Sequence, residues 1–306
     1  EGSLFGTTYH LTYRHTENLN LHEDILEVLA QFDRSLSTYN PDSLISRINR
    51  NEPDVVIDHY MEKCLNSALV ISEATDGAFD ITVGPLVNAW GFGHNEPRNV
   101  NPEEIEAILH YTGYQNIHLE GNRVIKAFPE TQLNVNAIAK GMAVDVVAEF
   151  LETQGCTDYM VEIGGEVRVR GQNPSGTAWQ LGIDKPIDDP TTISREIQTV
   201  VPLENRAMAT SGNYRNFYIK DGVKYAHTID PRTGYPVDHN LLSATVIAPD
   251  CMTADAYATA LMVMGTKKSI ELVEAHPSLE ALLIFNDEAG QYQTWHYTNF
   301  PSSTRE

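Results

Sequence analysis

The order of the two hydrophobic periodicities constrains this chain most: helical spacing crowds its first half and strand-like alternation its second. Residues Phe5 to His15 alternate polar and apolar as a strand, and Leu21, Ile25, Val28, Phe32 and Leu36 then recur at helical spacing. A second helix spans His59 to Ala74 and ends at Thr75-Asp76-Gly77, where Gly77 can take the left-handed conformation that closes a helix. Asn101-Pro102-Glu103-Glu104 reads as N-cap, proline at the first helical position and acidic first turn, opening a short helix to about Tyr111. Ile138, Met142, Val146 and Phe150 mark a longer helix stopped at Gly155. Strand signals then cover Tyr159 to Arg170, Trp179 to Asp184 and Glu196 to Pro202, and Asp221-Gly222 predicts a hairpin joining Asn216–Lys220 to Val223–Asp230. Thr253 to Met264 is the last strongly apolar helix, followed by Lys267 to Ala275 and two short strands. The regular strand–helix alternation of a doubly wound sheet is missing. The expected class is therefore α+β, with largely antiparallel sheets flanked by helices.

The 306 residues suffice for one large domain, 1–306, or for two lobes meeting near Gly155 and sharing a cleft, since no Pro/Ser-rich linker separates the halves. Against 42 acidic residues stand 21 basic ones, a formal net charge of −21 that argues against a nucleic-acid partner. An anionic ligand would have to be held by backbone amides and a bridging cation. Cys64, Cys156 and Cys251 are too widely spaced for a zinc pattern or a disulfide framework. No apolar run reaches the ~18 residues of a membrane span, and the chain starts at Glu1, compatible with a leader removed ahead of it.

Several local patterns could carry chemistry. Asp255 and Thr259 stand four residues apart on a helix, one turn apart on one face, where a carboxylate and a hydroxyl could share magnesium with substrate phosphates. Judged locally, the plainer reading is that Thr253 caps the helix, Asp255 favours its positive end and Thr259 packs. The run from Leu133 to Gly141 is a polar turn entering a helix, whose amides could receive phosphate. Lys140 in that first turn opposes the helix dipole and calls for a compensating anion, a ligand phosphate or a neighbouring carboxylate. Glycine-containing runs at Asp76–Asp80, Ile163–Glu166 and Thr210–Asn213 permit close backbone approach, or simply serve sharp turns. His227 ends a strand beside a turn, a position suited to a general base, although a structural histidine is the commoner outcome. Tyr39 could offer a ring face from a loop, or pack.

Taken together and in this order, these segments resemble the FAD:protein FMN transferase family, also called the ApbE family of flavin transferases. The resemblance runs from about Gly6 to Trp295. It rests on Gly6-Thr7-Thr8-Tyr9, Leu36-Ser37-Thr38-Tyr39, the stretch Thr75 to Leu86, Ala139-Lys140-Gly141, Ile163-Gly164-Gly165, Thr210 to Tyr214, His227 to Gly234 and Ala254 to Thr259. It implies a two-lobed fold enclosing an FAD cleft, with Phe5, Tyr39, Ala78, Phe79, Asp80, Asn134, Lys140 and Ile229 around the dinucleotide. It further implies that Asp255, Thr259 and the Ala137 carbonyl hold Mg2+, and that His227 activates the incoming hydroxyl. Where the family usually has Asp, this chain has Asn134, which can still donate and accept hydrogen bonds but lacks the charge.

The implied reaction is phosphoryl transfer: an acceptor Thr or Ser hydroxyl attacks the FMN phosphorus of FAD and AMP departs. With water as acceptor the same residues would make an FAD pyrophosphatase, and without catalysis a flavin-binding protein. The resemblance points to flavoprotein subunits of electron-transport complexes as acceptors. It also points to a periplasmic, inner-membrane lipoprotein, touching the membrane only through an N-terminal lipid anchor.

Overall fold

In the computed structural model, residues 1–93, 100–186, 196–213, 217–220 and 223–301 are described. The elements in chain order are β1 (Gly2–Leu4), β2 (Thr7–Arg14), α1 (His22–Leu36), α2 (Leu44–Asn49), α3 (His59–Ala74), α4 (Gly84–Ala89), α5 (Pro102–Leu109), β3 (Ile117–Glu120), β4 (Arg123–Lys126), α6 (Ala139–Thr153), β5 (Asp158–Ile163) and β6 (Glu166–Arg170). They continue as β7 (Trp179–Asp184), β8 (Ile197–Leu203), β9 (Ala207–Gly212), β10 (Phe217–Lys220), β11 (Val223–Ala226), β12 (Leu241–Ala248), α7 (Cys251–Ala275), β13 (Glu280–Asn286) and β14 (Tyr292–His296). The fold is the expected α+β with antiparallel sheets.

Backbone contacts divide the chain into two compact units. Unit 1 comprises Glu1–Leu29, Lys140–Asn216 and Asn240–Glu306, and unit 2 comprises Ala30–Ala139 and Phe217–His239. Gly155, with φ 82°, lies inside unit 1, where it follows α6.

Unit 1 is built on an eight-stranded antiparallel sheet of order β1-β2-β5-β6-β9-β12-β13-β14. The β7–β8 hairpin covers one face: Trp179, Leu181, Val201 and Leu203 pack with Val167, Met208, Ile247 and Leu282. Strand side chains alternate between faces, so Ala207, Ala209, Val246 and Ala248 point the opposite way. These small residues let α7 lie close against β9 and β12. Unit 2 carries α2 to α5, the β3–β4 and β10–β11 hairpins, and a core of Leu86, Ala89, Trp90, Ile105, Ile108 and Ile229.

Three sequence expectations need correction. Thr210, Ser211 and Gly212 are not a turn; they end β9, a central strand paired with β12. The last helical stretch, Cys251 to Ala275, is two helices as expected, broken at Gly265 (φ 74°, ψ 170°) and carried here under the one label α7. Its N-cap is Asp250, whose carboxylate accepts from Thr253 N at 2.8 Å, so Thr253 is a helical residue and not the cap. In the expected 216–230 hairpin, Asn216 and the Asp221-Gly222 turn lie outside the described residues, and β11 stops at Ala226.

Two helices approach closely in unit 1. A Cβ built on Gly141 of α6 would stand 2.2 Å from the Cys251 carbonyl oxygen and 2.8 Å from Asp255 Cβ on α7. Gly141→Ala should force the helices apart and destabilise the fold by about 1–3 kcal/mol, the usual range for overpacking. A thermal unfolding curve matching that of the parent would show that α7 can retreat without cost.

Candidate active site

In unit 1 the candidate groups gather where α6, α7 and β6 meet. Asp255 is buried, 2% exposed, and its Oδ2 accepts from the Gly141 amide at 3.0 Å. Its other oxygen, Oδ1, lies 3.9 Å from Lys140 Nζ. Lys140 also donates to Glu166 Oε1, the first side chain of β6. The anion that its helix position requires is thus a pair of carboxylates. Burial works against the charge on Lys140, but Asp255 and Glu166 outweigh it and raise the ammonium's pKa. Glu166 is 3% exposed, and burial pushes its carboxyl up to about 7 against the pull of Lys140. Its second oxygen, Oε2, is buried without a hydrogen-bond partner. Two carboxyl groups therefore face one ammonium in a place where charge is costly.

Thr259, one turn beyond Asp255, is half-buried, and its hydroxyl lies 3.4 Å from Ser211 Oγ at the end of β9. Phe5 occupies the β1–β2 turn with φ 53°, beside Gly6 at φ 73°. That two-residue turn strongly favours Asn-Gly, so a bulky Phe there is a strained choice that points to a role beyond the turn.

Unit 2 carries the remaining candidates. Asp80 is buried and spends its carboxylate on the chain: Oδ1 accepts from Thr82 N at 2.8 Å and Thr82 Oγ1 at 2.7 Å, and Oδ2 accepts from Tyr114 N at 2.6 Å. Burial raises its pKa against those three donors. Ala78 and Phe79 are buried and Ile229 belongs to the apolar core, so what these four positions can offer a ligand is backbone, not side chain. Asn134 Oδ1 accepts from Asn136 N at 3.0 Å, and Asn136 Oδ1 accepts from Thr38 Oγ1 at 3.2 Å, tying this turn to the loop of Tyr39, itself 73% exposed. Ala137 sits half-buried on the same turn. His227 is half-buried, with Phe92 edge-on at 6.4 Å between ring centres. Asp230 is engaged by Arg232, with Nε on Oδ1 at 2.9 Å and Nη2 on Oδ2 at 2.8 Å.

The expectation that amides of the Leu133–Gly141 run await a phosphate is largely overturned. Those of Leu133, Asn134, Asn136, Ile138, Ala139 and Gly141 all donate within the protein. The sequence reading also passed over Glu166 and Ser211 as site residues. Both stood in the runs noted for glycine, and their signal was adjacency to Gly165 and Gly212, which alone does not single out a side chain.

Among the described residues no three His, Cys, Asp or Glu side chains converge as a metal cluster. The donors do fit a hard cation with few protein ligands. Asp255 and Thr259 supply oxygens on one helix face, the donor type that a hard cation takes.

These features belong to an α+β fold whose charged groups in unit 1 converge on the starts of α6 and α7 and on β6. The ApbE family matches residues 5–283. An FAD:protein FMN transferase of Vibrio cholerae serotype O1 is 40% identical over 296 residues, 94% of this chain and 87% of the relative. One of Haemophilus influenzae is 39% identical over 300 residues, covering 94% and 86%. Among solved structures, the flavin transferase ApbE of Vibrio cholerae superposes with a TM-score of 0.87 at 37% identity, covering 98% of this chain and 96% of that one. The apo form of Pseudomonas stutzeri flavinyl transferase ApbE gives 0.86 at 34% identity, covering 97% and 93%. This chain belongs to the ApbE family.

Proposed function

We propose that this protein is a transferase that moves FMN from FAD to a Ser or Thr hydroxyl of an acceptor protein, releasing AMP, with Mg2+ held by Asp255 and Thr259 and by the Ala137 carbonyl. The observation that carries the reading is the buried Asp255–Lys140–Glu166 cluster with Thr259 on the same helix face, set in a chain whose relatives are named for this reaction. Bound magnesium would neutralise pyrophosphate charge and make AMP a better leaving group.

The chain's own residues do the rest. Gly141 N holds one oxygen of Asp255 and so fixes how that carboxylate presents the other. Lys140, anchored by Glu166, keeps a positive charge near the phosphates without being free to swing. His227 accepts the proton of the attacking hydroxyl. Asp230 is a poor substitute, because Arg232 grips both of its oxygens. Phe5 and Tyr39 supply apolar faces for the flavin and adenine rings. The acceptors fit flavoprotein subunits of electron-transport complexes, with the protein acting at the periplasmic face of the inner membrane through a lipid anchor. Detection of the mature chain in the periplasmic membrane fraction, released by lipoprotein-specific extraction, would test that location.

Phe5 gives a direct test of the ring contacts. Phe5→Asn should relieve the left-handed strain, stabilising the β1–β2 turn by up to about 1 kcal/mol, yet weaken FAD binding. Thermal unfolding and a flavin-fluorescence titration measure the two effects. A stabilised variant with parental FAD affinity would remove Phe5 from the ligand.

A further inference from the structure

Asp255 sits just past the first turn of α7, whose leading N–H groups have no partner within the helix. Asp250 already caps this turn through Thr253 N. The two amides before Thr253 are taken by a side chain from another helix. Asp145 of α6 accepts Cys251 N on Oδ1 at 2.9 Å and Met252 N on Oδ2 at 2.8 Å. Arg168 Nη1 adds a third bond to Oδ1 at 2.9 Å.

Asp145 is 1% exposed, and burial pushes its carboxyl up to about 6 against those three donors. A helix with a good N-cap does not require a second carboxylate, least of all a buried one that must be desolvated. What Asp145 adds is a tie between helices. It grips α7 at Cys251 and Met252, Gly141 N grips it again at Asp255 Oδ2, and the missing Cβ of Gly141 brings the two backbones together. Three fixed points define how far along and how rotated the start of α7 lies on α6. That rotation decides where Asp255 and Thr259 point.

We infer that Asp145 is a positioning residue for the cation site: by holding the Cys251 and Met252 amides, it fixes the first turn of α7 in the orientation that presents Asp255 and Thr259 together. The inference rests on the magnesium reading above. Asp145 is not one of the ligands proposed for the ion, and its effect travels through two backbone N–H groups.

The test uses the whole chain, with Mn2+ as a spectroscopic probe of the Mg2+ site. Asp145→Asn preserves the volume but turns one of the two acceptor oxygens into a donor facing an amide N–H. Electron paramagnetic resonance titration should show Mn2+ bound at least ~10-fold more weakly, the usual lower limit for residues that orient ligands. The Mg2+ midpoint for FMN transfer should rise by the same factor, with the rate at saturating Mg2+ within about twofold of the parent. Hydrogen exchange at Cys251 and Met252 should quicken. Arg168→Gln keeps both amide bonds, so it should lower stability and leave Mn2+ affinity unchanged. If Asp145→Asn fails to fold, Asp145→Glu, with both oxygens one methylene further out, should also weaken Mn2+ binding.

Parental Mn2+ affinity in the folded Asp145 variant, or equal loss in Arg168→Gln, would overturn the inference while leaving the magnesium reading intact. A parent that binds no Mn2+ and transfers FMN in excess chelator would overturn both.

Discussion

Replacing Asp255 by Ala is expected to abolish FMN transfer at ordinary magnesium concentrations, with partial return at high concentration. The substitution removes the charged oxygen proposed for the ion, and also takes from the Gly141 amide its acceptor and from Lys140 one of its two carboxylate neighbours. Thr259→Val should cost less, because a neutral ligand can be replaced by water. The double variant should be no worse than Asp255→Ala alone, since two ligands of one ion act as a unit. Transfer rates measured against magnesium concentration for the three variants check this. Full activity of Asp255→Ala would remove the ion from the proposal.

His227→Ala should retain FAD and magnesium but transfer FMN at least ~10²-fold more slowly, the usual loss when a general base is removed. The Phe92 ring stands edge-on to His227, and Ala226 and Thr228 on either side are buried, so truncating the imidazole leaves its surroundings supported. Binding and chemistry should therefore separate. Near-parental transfer by this variant across neutral pH would assign the proton to another group.

What the sequence disclosed and what it hid follow from the range of the interactions. The end of α3 was readable because Thr75 and Gly77 act within a few residues of the helix. The demand of Lys140 for an anion was readable too, since a cation in a first turn is wrong for the dipole wherever the helix lies. Which anion answers it was not, because Glu166 is 26 residues away and arrives only through β6. The pairing of Gly141 with Asp255 spans 114 residues, and that of Asp145 with Met252 spans 107, distances at which no local pattern speaks. Thr253 was mistaken for a cap because Asp250, three residues earlier, satisfies the same rule. For Ser211 and Gly212 close approach and a sharp turn stayed open, because glycine in a central strand is unusual and only the pairing of β9 with β12 shows that small residues are wanted there. The partners of the Asp80 carboxylate were hidden in the same way, since Tyr114 N reaches it from 34 residues away.

The proposal turns on where the FMN phosphorus goes. Incubating the protein with FAD, Mg2+ and an acceptor domain bearing a candidate Ser or Thr, then weighing the acceptor and quantifying AMP, measures that directly. The expected result is an acceptor heavier by one phosphoester-linked FMN per AMP released, with no gain when the candidate hydroxyl is replaced by Ala or when a chelator is present. An acceptor of unchanged mass alongside free FMN and AMP would make the protein a pyrophosphatase, and FAD recovered intact would leave it a flavin-binding protein; either would contradict the account.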